Sequence, residues 1–181
     1  MQLSNTTPYA YDGGIWVIAD VNHDSANTGQ TNCYDLISEY GFYPSAFNDA
    51  NSTYWREAQI RTWLNNTFYN GFSTAFKAHM INPKYHLIYY TIDEWYDDDK
   101  IILPSLVEIN LSSSYTEGIA YPIFTNDASR KKYKFGTTTY ELWWTRTSYD
   151  SSKIYAVMEN GQRNNYRYSQ GCCRVPILRV Q

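Results

Sequence analysis

IRTWLNNTFYNGFSTAFKAHM, residues 60–80, decides the fold class, because here the hydrophobic period becomes that of a helix. Ile60, Trp63, Leu64 and Phe68 recur at i, i+3, i+4 and i+8, with Asn51, Ser52 and Thr53 ahead of them as candidate caps. That spacing predicts an amphipathic helix. After a break at Gly71, Phe72, Ala75, Phe76, His79 and Met80 repeat the pattern until Pro83 stops it. A second short helix, packed beside the first, is expected.

Outward from this pair the periodicity is that of strands. GGIWVIADV (13–21) reads as a buried early strand, with Ile15, Trp16, Val17 and Ile18 running on from a Gly-Gly turn. A loop rich in Asn, Asp, Ser and Gly follows it. On the other side, HLIYYTI (86–92), KIILPSL (100–106), YELWWTRT (140–147), KIYAVME (153–159) and VPILRV (175–180) are candidate strands, and Asn160-Gly161 is a tight-turn signal. Between the last two lies GQRNNYRYSQGCCRV (161–175), whose Arg163, Asn164, Asn165 and Arg167 would be costly to bury. It reads as a loop or irregular strand facing solvent or a ligand. Helices early and strands late give an α+β class, and 181 residues without a repeat or linker fit one domain.

A net charge of −3 and a longest charge run of Asp97-Asp98-Asp99-Lys100 leave no basic stripe for a phosphate backbone, so no nucleic-acid partner is expected. MQLSNTTPYAYDGG has neither a basic nor an apolar leader segment, and no run of about eighteen apolar residues occurs. A soluble chain with no signal peptide and no membrane insertion is the expectation. Cys33, Cys172 and Cys173 have no zinc or disulfide spacing and are expected as free thiols. The sequons at Asn5, Asn51, Asn65 and Asn110 carry no weight without a secretory leader. The unusual quantity is tyrosine, at 19 residues, which binding surfaces and aromatic β-rich cores both use heavily.

Little in the chain points to catalysis. His79 lies on the apolar stripe of the second helix as a structural histidine, and His23 is expected to be exposed in a polar loop. Glu94, Asp97, Asp98, Asp99 and Glu108 could pair as the two acids of a glycosidase, but the Asp triplet reads as a solvated turn. DEWYDDDK lacks the alternation and glycine of a calcium loop. No G-x-S-x-G, H-E-x-x-H or phosphate loop is present, and only Arg174 could activate the adjacent Cys172-Cys173 pair. No enzyme activity, cofactor or metal site is expected.

Ile60-Arg61-Thr62-Trp63-Leu64-Asn65 with Phe68-Tyr69-Asn70 and Phe72-Ser73 resembles the "IRxWLN…FYN…FS" signature of an uncharacterised domain family of gut bacteria and their phages. Lys100 to Leu106 with Glu108 resembles its "KIFLLSxxE" segment, Trp143-Trp144-Thr145-Arg146-Thr147 its "WWLRS", and Gly171 to Leu178 its "GVRPAL". Order and spacing hold across about residues 11–181, with Thr145 and Pro104 standing for leucines and Arg174-Val175-Pro176 for Arg-Pro. The family looks like a branch of the C-type lectin-like fold that includes formylglycine-generating-enzyme-like domains. The resemblance implies two helices and a twisted antiparallel sheet whose last strands support a binding surface, in one domain over 1–181. It also puts Trp143, Trp144 and Arg146 in the framework, the arginine held by a carboxylate or backbone carbonyls.

Some members are similar to the variable proteins of diversity-generating retroelements, in which adenines near the 3′ end of the gene are rewritten. A randomised AAY codon can give Tyr, Ser, Asp, Arg, Cys, Asn or Gly, but never Lys, Glu, Gln, Met or Trp. RNNYRYS (163–169), Ser148 to Ser152 and Tyr155 lie inside that set, while Lys153, Gln162 and Gln170 do not. Cys172 or Cys173, where the family shows Val, would be a product of the same process. The expectation is a variable region over 148–173 with ligand contacts from Tyr149, Asp150, Ser152, Tyr155, Arg163, Asn164, Asn165, Tyr166, Arg167, Tyr168 and Ser169. Its partner would be a protein or glycan receptor on a cell surface, engaged from a phage tail or a bacterial surface assembly. Homo-oligomerisation is left open. No Glu-Pro-Asn or Gln-Pro-Asp motif supports calcium-dependent sugar binding. The alternatives are a carbohydrate-active or cell-wall hydrolase using the acidic cluster, and a structural virion or adhesin domain.

Overall fold

The computed structural model describes residues 15–112 and 114–181; the Gly13-Gly14 turn and the Asn5 sequon lie outside them. The class is α+β with most regular structure in sheet. The helix expected from Ile60 onward forms as α2 (Gln59–Trp63) and continues as a π-helical turn over Leu64–Phe68. Ile60, Leu64 and Phe68 are buried along it, and Trp63 lies under the Arg174 guanidinium, 3.8 Å from it. Asn51, Ser52 and Thr53 do not cap this helix. Its first turn follows Ala58, with no side-chain cap, and Thr53 Oγ1 instead donates to the Asp150 carbonyl at 2.7 Å.

Asn65 ties the helix to the sheet. Its amide donates to the carbonyls of Arg61 and Ile101 at 3.1 and 2.9 Å, and its Oδ1 accepts the N–H groups of Lys100 and Ile101 at 2.6 and 3.0 Å. An amide inserted at the Arg61 carbonyl competes with the ordinary helical ladder, a recognised cause of local widening to a π turn. Asn65→Ala orphans two backbone donors, each costing about 1–3 kcal/mol. Urea denaturation should show a loss of at least about 2 kcal/mol; a change below about 0.5 kcal/mol would contradict the role.

The second helix is shorter than its spacing predicts. Only α3 (Thr74–Lys77) is helical, capped by Ser73 Oγ accepting from the Phe76 N–H, while Ala75 and His79 are exposed. Met80–Ile81 forms β4 and pairs with the last strand, so tertiary pairing overrides the helical pattern. A further turn, α1 (Ser25–Thr28), lies ahead of both helices in the chain.

One sheet orders as β1 (Trp16–Val21), β2 (Tyr34–Ser38), β13 (Ile177–Val180) and β4, with β7 (Ile101–Ile102) also on β13. β1 is an edge strand rather than a buried one. It pairs only with β2, so Ile15, Ile18 and Val21 are exposed and only Ala19 is buried. β2 and β3 (Tyr40–Ser45) occupy the segment that reads as a polar loop. Asp35, the second residue of β2, is hidden because Arg179 on β13 faces it, its Nη2 donating at 2.7 Å, and the Tyr121 hydroxyl donates to it at 2.8 Å. β5 (Tyr85–Tyr89) and β6 (Ile92–Tyr96) form a separate hairpin.

The larger sheet runs β11 (Arg163–Arg167), β10 (Lys153–Val157), β9 (Trp143–Ser148), β12 (Cys172–Arg174), β3, β8 (Tyr133–Lys134). Trp143 and Trp144 are fully buried, their indole N–H groups donating to the carbonyls of Arg130 and Ser45, each at 3.0 Å. Arg146 is held as expected, by both oxygens of Glu108 at 2.6 Å and by the Leu103 carbonyl at 2.8 Å. Residues 161–175 are more regular than a loop: they supply β11 at the sheet's edge and β12 in its interior.

Candidate functional site

Strand alternation sorts the expected contacts into two faces. In the β10–β11 ladder Lys153 faces Arg167, Tyr155 faces Asn165 and Val157 faces Arg163, and these six share one side of the sheet. Ile154–Tyr166 and Ala156–Asn164 share the other. Arg163, Asn164, Arg167 and Ser169 are exposed, as are Tyr149 and Ser152 on the β9–β10 turn. Asp150, Asn165, Tyr166 and Tyr168 are half-buried.

Tyr155 is a correction. It is 9% exposed, so it lies beneath the surface. Tyr149 packs edge-on against it at 5.3 Å, Tyr115 at 6.0 Å, and the Arg163 guanidinium sits 5.6 Å over its ring. Residues from the β9–β10 turn, a loop and β11 cover it, which codon composition could not register. Tyr168 is tied in place too, its hydroxyl donating to Asn51 Oδ1 and its carbonyl accepting the Phe47 and Asn48 N–H groups.

The structure adds aromatic residues that sequence reading missed. Ile88, Tyr89, Tyr90 and Tyr115 join Ser148, Tyr149 and Asp150 around a cleft of about 140 Å³. Tyr89 stacks on Tyr54 at 4.8 Å and Tyr90 stands against Tyr89 at 4.6 Å. Tyr90 occupies the tip of the β5–β6 hairpin at φ 53°, a left-handed conformation costly for an aromatic residue, with its ring largely in solvent. The reading of HLIYYTI (86–92) as one strand hid these tyrosines, because the chain turns at Tyr90 and Ile92 already belongs to β6. Asp150 closes the turn by accepting from the Ser152 N–H and hydroxyl at 2.7 and 2.8 Å, bonds that hold its carboxyl below the usual range.

Two of the outward N–H groups on the β11 edge are already occupied. Ladder parity points the N–H groups of Asn165 and Arg167 away from β10, and these are taken by Asn164 Oδ1 at 2.9 Å and Gln170 Oε1 at 3.1 Å. Beyond those two positions the edge presents mainly side chains to solvent.

Asp98, Asp99 and Glu108 of the acidic set are committed elsewhere. Asp99 is buried rather than in a solvated turn: it accepts from Tyr85 Oη at 2.6 Å, Arg61 Nε at 2.9 Å and Trp55 Nε1 at 3.2 Å. The Arg56 guanidinium bonded to Asp98 holds that carboxyl low, the opposite of what a general acid needs. Glu108 is locked to Arg146. His23 is buried, not exposed, bonded to Asp20 at 2.9 Å and stacked on Tyr121 at 3.8 Å. Cys33, Cys172 and Cys173 are free thiols as expected, and burial pushes Cys172 and Cys173 up to about 12, leaving them weak nucleophiles.

Residues 34–180 match the family described as Domain of unknown function (DUF6273). No curated protein and no solved structure matches the chain.

Proposed function

The chain belongs to the DUF6273 family, and from that premise we propose that it is a ligand-binding protein on a C-type lectin-like scaffold. Its display surface is the β9–β10 turn with β11 and the residues that follow. One observation carries the reading. In 148–152 and 163–169 every side chain is exposed or half-buried and none is Lys, Glu, Gln, Met or Trp, the residues a randomised AAY codon cannot give, while the intervening Ile154, Tyr155, Ala156 and Val157 are buried. A variable surface on a fixed interior needs that division. The pairing of early strand β2 with final strand β13, which brings the two ends of the fold together, supports the scaffold assignment.

The physical logic is that of a paratope: tyrosines give rigid contact area, arginines give forked donors, and Asn and Ser adapt their hydrogen bonds. The setting is a phage tail or bacterial surface assembly that meets a receptor on another cell. The protein performs no catalysis in this reading. Labelled protein should bind a subset of bacterial strains, and Tyr149→Ala with Arg167→Ala should weaken that binding at least tenfold without lowering thermal stability. Binding unchanged by the pair would remove the surface from consideration.

A further inference from the structure

The class of ligand can be narrowed, on the premise that this surface is the binding site. Lys153, Arg163 and Arg167 share one face of the β10–β11 ladder, and among the described residues none of the three forms an ion pair. The buried arginines 146 and 179, by contrast, both sit on carboxylates. Two of the cations are already carried over rings, Lys153 5.6 Å from the Tyr149 centroid and Arg163 5.6 Å from that of Tyr155. Arg163 also donates to the Leu111 carbonyl at 3.2 Å, which fixes its fork. Arg163 and Arg167 stand four residues apart on one strand, about 13 Å, with Asn165 between them. The row thus offers spaced positive charge, and the tyrosine cleft of about 140 Å³ adjoins it through Tyr149 and Tyr115.

We propose that this face binds an acidic saccharide, a chain of carboxylate-bearing sugar rings. One ring packs its C–H face on Tyr90 and Tyr149 in the cleft, its hydroxyls within reach of Ser148, Asp150 and the tyrosine hydroxyls. Carboxylates of neighbouring sugars lie on Lys153, Arg163 and Arg167, where charge-assisted hydrogen bonds are the strong ones. An acidic peptide fits less well, because two of the outward N–H groups of β11 that would build a ladder with it, those of Asn165 and Arg167, are occupied by Asn164 and Gln170. A cleft of ring size walled by aromatic side chains also suits a cyclic ligand better than an extended backbone.

Affinity electrophoresis of the full chain through gels holding polygalacturonate, alginate or hyaluronate tests this, with dextran and polyglutamate as comparisons. The expected result is retardation by at least one uronate polymer, none by dextran, and little by polyglutamate. Arg163→Gln with Arg167→Gln should weaken uronate binding at least tenfold and Tyr149→Ala severalfold, with melting temperatures unchanged. Retardation by none of the uronates overturns the proposal, as does equal retardation by polyglutamate, which would mean charge alone, or by dextran. Cell binding that survives Arg163→Gln/Arg167→Gln, with no uronate bound, sinks the acidic saccharide and leaves the display surface standing. Absence of cell binding by the native chain sinks the display surface itself.

Discussion

Arg146→Ala is expected to destabilise the protein by about 3–5 kcal/mol, the usual penalty for removing one partner of a buried ion pair. Arg146 has no exposed surface and holds Glu108 through two bonds of 2.6 Å. Glu117 is also fully buried, with burial raising its carboxyl above the usual range and the charge of Arg146 acting against that rise. Alanine leaves both carboxylates in the interior without the nearby guanidinium. The Leu103 carbonyl loses its donor as well. Guanidinium denaturation with an unchanged slope should report the loss. The double variant Arg146→Met with Glu108→Met removes one of the two stranded carboxylates, leaving Glu117, and should recover part of the loss. A loss below about 1 kcal/mol in the single variant would mean that the pair is not as buried as the structure has it.

Gly161→Ala should cost about 2–5 kcal/mol, combining a left-handed backbone with overpacking. Gly161 lies in the β10–β11 turn at φ 88°, and a Cβ there would meet the Asp127 carbonyl oxygen at 1.8 Å. The obstruction is backbone, so no rotamer change relieves it. The turn must move away from α4 (Asp127–Arg130), breaking the bond from Arg130 Nε to the Gly161 carbonyl at 3.0 Å. Because this turn sets where β11 begins, ligand binding should fall together with the melting temperature. A variant of native stability would show that the contact gives way at little cost.

How far the sequence foretold this structure depended on where each residue finds its partner. α2 was legible because Ile60, Leu64 and Phe68 bury the stripe their own spacing announces. The final strands were legible because Ile154, Val157, Ile177 and Leu178 are apolar and buried. β2 was not, since Asp35 looks like a loop residue until Arg179, 144 positions later, neutralises it. Asp99 misled in the same way, its three partners lying 14 to 44 residues off. At the candidate site the polar character of β11 was readable, but the cover over Tyr155 and the contribution of Tyr89, Tyr90 and Tyr115 exist only once hairpin and sheet meet.

The most direct test of the display surface is the pattern of variation in this gene among closely related isolates, read codon by codon. Substitutions are expected at adenines of the codons for Tyr149, Asp150, Ser152, Arg163, Asn164, Asn165, Arg167 and Ser169. Buried Arg146, Ile154, Ala156 and Val157 should stay fixed, with a near-copy of the segment lying beside a reverse transcriptase gene. Substitutions spread evenly over the chain, or a surface identical in every isolate with no second copy, would contradict the account.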